Sequence, residues 1–226
     1  GLTRRAPMAQ TARMASRREF LHVTAGVTGA LTVGACGSVR AATPPGRSRG
    51  PTPEPPPPPA LPSPAQRAWQ DLEVGMFIHF APNTWQEQEY DDRSTPLSAL
   101  DPDIDTDQWV DAAAGLGATY VVLVAKHVGG FCLWQTETTD YSIKNTPWRG
   151  GRGDVMADLA ASCARRNIRL GVYLSPRDDA QGAANAGRCA TPERQAAYDL
   201  LYRQQLTELL TRYGPIVELW LDGSSV

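Results

Sequence analysis

The sequence predicts an α/β fold, a (β/α)8-type TIM-like barrel of which this chain carries about the first four β/α units. From residue 66 onward, short apolar runs of strand length alternate with amphipathic stretches of helix length. This alternation is typical of a parallel sheet covered by helices. An open doubly wound sheet is the alternative, and it usually has a Gly-rich phosphate-binding turn after its first strand. Residues 79–83, His-Phe-Ala-Pro-Asn, do not form such a turn.

Four apolar runs are predicted to be the strands of this sheet. They are nearly continuous rather than alternating, as expected of parallel strands that are buried on both faces. In chain order, the predicted strands are residues 75–80, 120–125, 170–174 and 217–221.

Three helices are predicted between these strands. The first begins at a capping Thr106. Its expected buried face comprises Trp109, Val110, Ala113 and Leu116. The second covers residues 154–166, with the acidic Asp154 near its positive end. The third begins at Thr191-Pro192, a cap followed by a first-turn proline, and stops at Gly214-Pro215.

Residues 1–42 are predicted to be an export signal. Residues 16–21, Ser-Arg-Arg-Glu-Phe-Leu, fit the twin-arginine pattern, and the uncharged stretch to residue 35 is too short for a membrane-spanning helix. Two cleavage sites fit: a lipobox at residues 33–36, which would leave Cys36 lipidated as a membrane tether, or a signal-peptidase site at 39–41. We therefore expect an exported bacterial protein, delivered by the twin-arginine machinery to the periplasm or cell surface.

Residues 43–65 are predicted to form a Pro-rich linker, because 11 of the 19 prolines lie between Pro44 and Pro64. From Ala65 onward, the chain has 14 Lys and Arg and 22 Asp and Glu, a net charge of −8. A phosphate-binding surface needs the opposite sign, which argues against nucleic acid as a partner.

The sequence lacks an initial Met, and we expect residues 66–226 to be the first half of a truncated barrel.

Polar side chains lie at or directly after the carboxyl end of each predicted strand. His79 ends the first strand, Lys126 and His127 the second, Ser175 the third and Asp222 the fourth. The carboxyl ends of parallel barrel strands open onto one face, where such enzymes hold their catalytic residues. The pattern predicts an active site at that face.

Two kinds of chemistry fit these residues. A carboxylate at Asp222, near Trp220, Tyr173 and the two histidines, suits attack on the anomeric carbon of a sugar. His79 and His127 would then form hydrogen bonds with sugar hydroxyls. Alternatively, the two histidines and Asp222 could form a two-His, one-carboxylate metal site. Residue spacing alone leaves both chemistries open.

Several blocks of sequence resemble the α-L-fucosidases of glycoside hydrolase family 29. They occur in order and with family-like spacing: residues 75–80, 125–127 with 130–134, 139–142 and 219–223. The resemblance implies an exo-glycosidase of retaining mechanism, acting by double displacement on fucosylated glycans or other glycosides, without a cofactor or metal. It places the catalytic nucleophile at Asp222.

The resemblance also implies which residues bind the substrate. His79 and His127 match positions that bind fucose hydroxyls, and Glu89 with Tyr90 aligns with a Glu-Trp pair that lines the sugar pocket. Trp220 would form a wall of the pocket, and Tyr173 would approach the sugar ring.

Two departures from the family pattern stand out. Residues 127–131 read His-Val-Gly-Gly-Phe where the family commonly has His-His-Asp-Gly-Phe, and Arg177-Asp178-Asp179 replaces a family Trp after Pro176. The missing side chains at Val128 and Gly129 motivate a second hypothesis, a carbohydrate-binding lipoprotein on a decayed hydrolase barrel. The general acid/base carboxyl is expected beyond residue 226, with Glu89 and Asp178 as weaker candidates.

Overall fold

A computed structural model describes residues 59–223 of the chain. The predicted signal at 1–42, Cys36 and most of the predicted linker lie outside the described residues and stay predictions. A short helix, α1 (Pro64–Gln70), overlaps the end of that linker. Its first turn is closed by a capping box, in which the Ser63 hydroxyl accepts a hydrogen bond from the backbone N–H of Gln66.

Four strands form one parallel sheet whose spatial order is the order of the chain. They are β1 (Gly75–Ile78), β2 (Tyr120–Lys126), β3 (Arg169–Leu174) and β4 (Ile216–Trp220). Each strand pairs in parallel with the next. A doubly wound sheet reverses its strand order at a switch point, whereas this order runs in one direction, as in a barrel wall. The predicted fold class is confirmed, and the four described strands form an open half-barrel.

Four helices lie between these strands: α2 (Asn83–Gln86), α3 (Thr106–Leu116), α4 (Val155–Arg166) and α5 (Pro192–Arg212). The prediction that Thr106 caps α3 is wrong. The side chain of Asp105 accepts the capping hydrogen bond, and Thr106 is buried with its Oγ1 2.8 Å from Oγ of Ser162 on α4. Leu116, predicted to be buried, is 62% exposed. The cap predicted for α5, Thr191, is confirmed. Asp154, predicted to begin α4, is its N-cap, and the helix begins one residue later at Val155.

The two faces of the sheet carry different clusters of apolar residues. The larger cluster includes the α4 side chains Met156 and Leu159 and α5 Leu209. The smaller cluster, on the opposite face, contains Val122, Val124 and Tyr173. In a closed barrel this second face is the interior.

Within residues 59–223, no helix combines the length and the apolar character needed to cross a bilayer.

A bulge near the end of β2 decides where its last side chains point. Val124 pairs with Tyr173 and Lys126 with Leu174, so β2 has one more residue than β3 over this interval. A one-residue shift in a strand moves the following side chains to the opposite face. Lys126 therefore shares a face with Leu174 and points toward α5, whereas His127 points to the other side.

A buried ion pair results from this geometry. Nζ of Lys126 lies 2.8 Å from Oδ2 of Asp178, in the loop after β3, and 2.8 Å from Oε1 of Gln205 on α5. All three side chains are buried. The sequence-based placement of Lys126 at the active-site face is therefore wrong, and its role is to join β2, the β3–α5 loop and α5. Removing one partner of such a pair leaves an uncompensated charge in the interior.

We expect Asp178→Asn to lower the free energy of unfolding by about 3–5 kcal/mol, because the buried Lys126 side chain would lose its counter-ion. Urea unfolding followed by tryptophan fluorescence measures this. Glu137→Gln is the matched control, because it makes the same acid-to-amide change in an exposed ion pair, in which Glu137 lies 2.9 Å from Arg212. It should lower the free energy of unfolding by less than about 1 kcal/mol. Equal losses in the two variants would contradict the prediction.

Candidate active site

A cavity of about 440 Å³ opens at the carboxyl ends of the four strands. Small-molecule sites commonly have volumes of about 300–1,000 Å³. Its lining residues come from the ends of β1 to β4 and from two loops: His79, Glu89, Tyr90, His127, Val128, Ser175, Arg177, Asn185, Asp222 and Gly223. Five of the seven residues predicted for the active site therefore meet in one cavity.

The carboxylate of Asp222 is held by a tyrosine from the neighbouring strand. The hydroxyl of Tyr173 donates a hydrogen bond to Oδ2 of Asp222 across 3.0 Å. Burial, and then the bond to Asp222, raises the pKa of Tyr173, so its hydroxyl stays protonated as a donor. Tyr173 does not itself line the cavity. Its contact with the described site is this hydrogen bond, and its expected approach to the sugar ring stays a prediction.

Trp220 lies two residues before Asp222 and does not line the cavity. Its ring packs against Phe77, with centroids 5.0 Å apart, and against Tyr173 at 6.3 Å. These rings belong to the interior face of the half-barrel, where Trp220 is 44% exposed and Phe77 is 42% exposed. The expected role of Trp220 as a wall of the sugar pocket stays a prediction.

Two histidines form one side of the cavity. The rings of His79 and His127 meet edge to face, with centroids 4.6 Å apart. Burial lowers the pKa of His79, and burial together with the nearby His79 lowers the pKa of His127 to about 4. Both rings are therefore neutral at pH 7, and each offers one donor and one acceptor nitrogen.

Two buried polar atoms at this cavity make no hydrogen bond of regular geometry within the described part of the chain: Nδ1 of His127 and Oγ of Ser175, which interacts with the nearby Tyr173 hydroxyl. Most buried polar atoms in proteins have a hydrogen-bond partner, and exceptions are uncommon. Both residues line the cavity. Their free hydrogen-bonding capacity suits a ligand that carries several hydroxyls.

Glu89 and Tyr90 reach the cavity from the loop that follows α2. The Tyr90 ring stacks on His127, with centroids 6.0 Å apart and an interplanar angle of 10°. The guanidinium of Arg177 lies 5.5 Å from the centre of the same ring, within the range of a cation–π contact. The adjacent Glu89 carboxylate raises the pKa of the Tyr90 hydroxyl. The pair thus adds an aromatic ring and a second carboxylate to the site.

The sequence analysis missed Arg177 and Asn185 as site residues. Two hydrogen bonds of 2.8 and 2.9 Å to Asp179 orient the Arg177 guanidinium. Its position two residues after Ser175 was a usable signal, because alternate residues share a face. Asn185 gave no such signal. Its loop is held beside Asp222 by a hydrogen bond from the N–H of Ala186 to the carbonyl of Gly223.

Two sequence-based alternatives do not fit this geometry. Within residues 59–223, no three His, Cys, Asp or Glu side chains are grouped closely enough to hold a metal ion, so His79, His127 and Asp222 do not form the suggested metal site. Asp178 is also wrong as a general acid/base candidate, because it is buried against Lys126 and does not line the cavity.

Comparison with known proteins agrees with this architecture. The family model described as alpha-L-fucosidase matches residues 84–226. Alpha-L-fucosidase 1 of Arabidopsis thaliana is 42% identical over 165 residues, which cover 73% of this chain and 31% of that protein. The chain spans about a third of the length of the curated relatives it matches.

Two solved structures are similar in fold as well as in sequence. A glycoside hydrolase 29 family member from an unknown rumen bacterium shares 37% identity with a TM-score of 0.64, covering 74% of this chain and 28% of that one. A Ruminococcus gnavus GH29 fucosidase, solved in complex with fucose, shares 31% identity with a TM-score of 0.64, covering 74% of this chain and 36% of that one. By sequence and by fold, the chain belongs to the α-L-fucosidases of glycoside hydrolase family 29.

Proposed function

We propose that the protein is a retaining exo-α-L-fucosidase that releases terminal fucose from glycans by double displacement, with Asp222 as nucleophile. One observation carries the proposal: the Asp222 carboxylate, oriented by Tyr173, enters a cavity lined by two neutral histidines. A carboxylate in this position stabilises the positive charge that develops at the anomeric carbon and then bonds to it. Family membership supports fucose as the sugar.

The reaction has two steps. In the first, an oxygen of Asp222 bonds to the anomeric carbon while the bond to the leaving oxygen breaks, and that oxygen takes a proton from a general acid. In the second, water attacks the same carbon and gives a proton to the residue that acted as the general acid, and the bond from that carbon to Asp222 breaks. Tyr173 keeps the carboxylate in place through both steps. His79 and His127 exchange hydrogen bonds with the sugar hydroxyls, and Val128 offers an apolar contact.

A second hypothesis is a carbohydrate-binding lipoprotein on a decayed hydrolase barrel, motivated by the side chains missing at Val128 and Gly129. The oriented Asp222 favours the enzyme, because a binding protein does not require a carboxylate held toward the anomeric carbon. The two hypotheses predict different behaviour when Asp222 is replaced.

We expect Asp222→Gly to lower kcat on an aryl α-L-fucoside by roughly 10³-fold or more, because the covalent intermediate cannot form. Azide should restore turnover by entering the space of the lost carboxylate, and the product should be the β-fucosyl azide, identified by NMR. Wild-type protein with azide is the control. A wild type that binds fucose but hydrolyses no fucoside would favour the binding protein.

Glu89 is the second carboxyl group that lines the cavity within residues 59–223, and we propose that it binds a sugar hydroxyl. Glu89→Gln should then raise KM for phenyl and nitrophenyl fucosides by similar factors, about tenfold. A general acid would behave differently: its loss slows substrates with poor leaving groups much more than activated ones. A large difference between the two substrates would move Glu89 to the acid/base role.

We further propose that the twin-arginine machinery exports the protein to the periplasm or cell surface, with Cys36 as a lipid tether. The support is the sequence of residues 16–36, which lie outside the described residues. Replacing Arg17 and Arg18 by lysine should retain the protein in the cytoplasm, measured by cell fractionation, because the receptor reads the arginine pair. The same change at Arg4 and Arg5 is the matched control and should leave export intact. Unchanged export of the first variant would refute the proposal.

A further inference from the structure

Asp91 is a buried carboxylate next to the cavity that the proposed chemistry does not use. It is 4% exposed and does not line the cavity. Its oxygens accept hydrogen bonds from the Tyr141 hydroxyl at 2.6 Å, from Nε2 of Gln86 at 2.9 Å and from the N–H of Arg93 at 2.8 Å. A buried carboxylate persists when several donors compensate for its lost hydration. Asp91 therefore has the contacts of a fixed anchor.

Gly129 provides the space in which this anchor sits. A Cβ atom at Gly129 would lie 2.5 Å from Oδ2 of Asp91 and 2.6 Å from its Cβ. Any side chain at 129 would therefore displace Asp91. Gly129 follows His127 and Val128, so the carboxylate rests against the turn that carries two cavity residues.

The anchored loop carries Glu89 and Tyr90 immediately before Asp91. The bond from Gln86 to Asp91 closes this loop across its base, and Oε1 of Gln86 also accepts the N–H of Asp92 at 3.2 Å. Tyr90 stacks on His127 at the cavity. Fixing Asp91 against Gly129 thus fixes Glu89 and Tyr90 relative to His127.

We propose that Asp91 is a positioning residue: seated against Gly129, its carboxylate holds the loop of residues 86–93 so that Glu89 and Tyr90 form a wall of the sugar site. The inference rests on the proposed function for the identity of the ligand. It assigns Asp91 a role in substrate binding through other residues, with no contact to the reacting atoms.

The first test is Asp91→Gly in the whole protein. We expect KM for an aryl α-L-fucoside to rise about tenfold or more while kcat changes less than about threefold, because binding residues lose their position and the nucleophile does not. Hydrogen exchange of peptides covering residues 84–95 should become faster. Asp103→Gly is the matched control, because Asp103 is an exposed aspartate that, like Asp91, precedes helix α3. It should change neither KM nor the exchange of residues 84–95.

A relocation variant separates this role from a general loss of structure. In the double variant Asp91→Gly/Gly129→Asp, the carboxylate is attached to a Cβ at position 129, which lies 2.6 Å from the Cβ of Asp91. This variant should return KM to within about threefold of the wild-type value. Tyr141→Phe removes one hydrogen-bond donor to Asp91 and leaves the loop sequence intact. It should shift KM and hydrogen exchange in the same direction as Asp91→Gly, and it replaces Asp91→Gly as the test if that variant does not fold.

Two results would overturn the proposal: exchange of residues 84–95 in Asp91→Gly equal to that of the Asp103→Gly control, or a loss in kcat with KM unchanged. Failure of the proposed function looks different. A wild type that neither binds nor hydrolyses fucosides would end the fucosidase assignment, while the exchange measurement would still decide whether Asp91 holds the loop.

Discussion

The buried ion pair between Lys126 and Asp178 is the constraint on which the active site depends. It exists because a bulge near the end of β2 turns Lys126 toward α5, and the same bulge turns His127 toward the cavity. The pair fixes the start of the β3–α5 loop, which then brings Arg177 and Asn185 to the cavity. One extra residue in β2 thus directs His127 into the cavity and positions the β3–α5 loop that lines the same cavity.

Gly129 and Gly130, in the turn after β2, each leave space for a buried aspartate from a neighbouring loop. A Cβ at Gly130, whose φ is +95°, would lie 2.3 Å from Oδ1 of Asp178, and one at Gly129 would meet Asp91. Each glycine therefore admits a buried carboxylate, one from the β3–α5 loop and one from the loop after α2. This gives Gly129 a packing role of its own, so its departure from the family pattern does not by itself indicate a decayed site. Val128 remains a change from a polar to an apolar lining residue.

The electrostatics of the cavity follow from this arrangement. Burial keeps both histidines neutral, so Asp222 faces groups that can share hydrogen bonds with hydroxyls rather than a cation that would compete for its charge. Arg177, the cation at the edge of the cavity, is paired with Asp179 and stacked near Tyr90. The Asp222 carboxylate therefore remains available for the role that we propose for it.

Local patterns in the sequence determined the strands, the cap of α5 and the barrel order, because hydrophobic periodicity and capping depend on residues near one another in the chain. They also located His79, His127 and Asp222, since the carboxyl ends of parallel strands share one face. The tertiary structure alone decided the direction of Lys126, because a bulge is defined only by the register with the neighbouring strand. It also decided that Tyr173 holds Asp222 and that Asp91 rests on Gly129, because these contacts join residues far apart in sequence, and no local period encodes such a pairing.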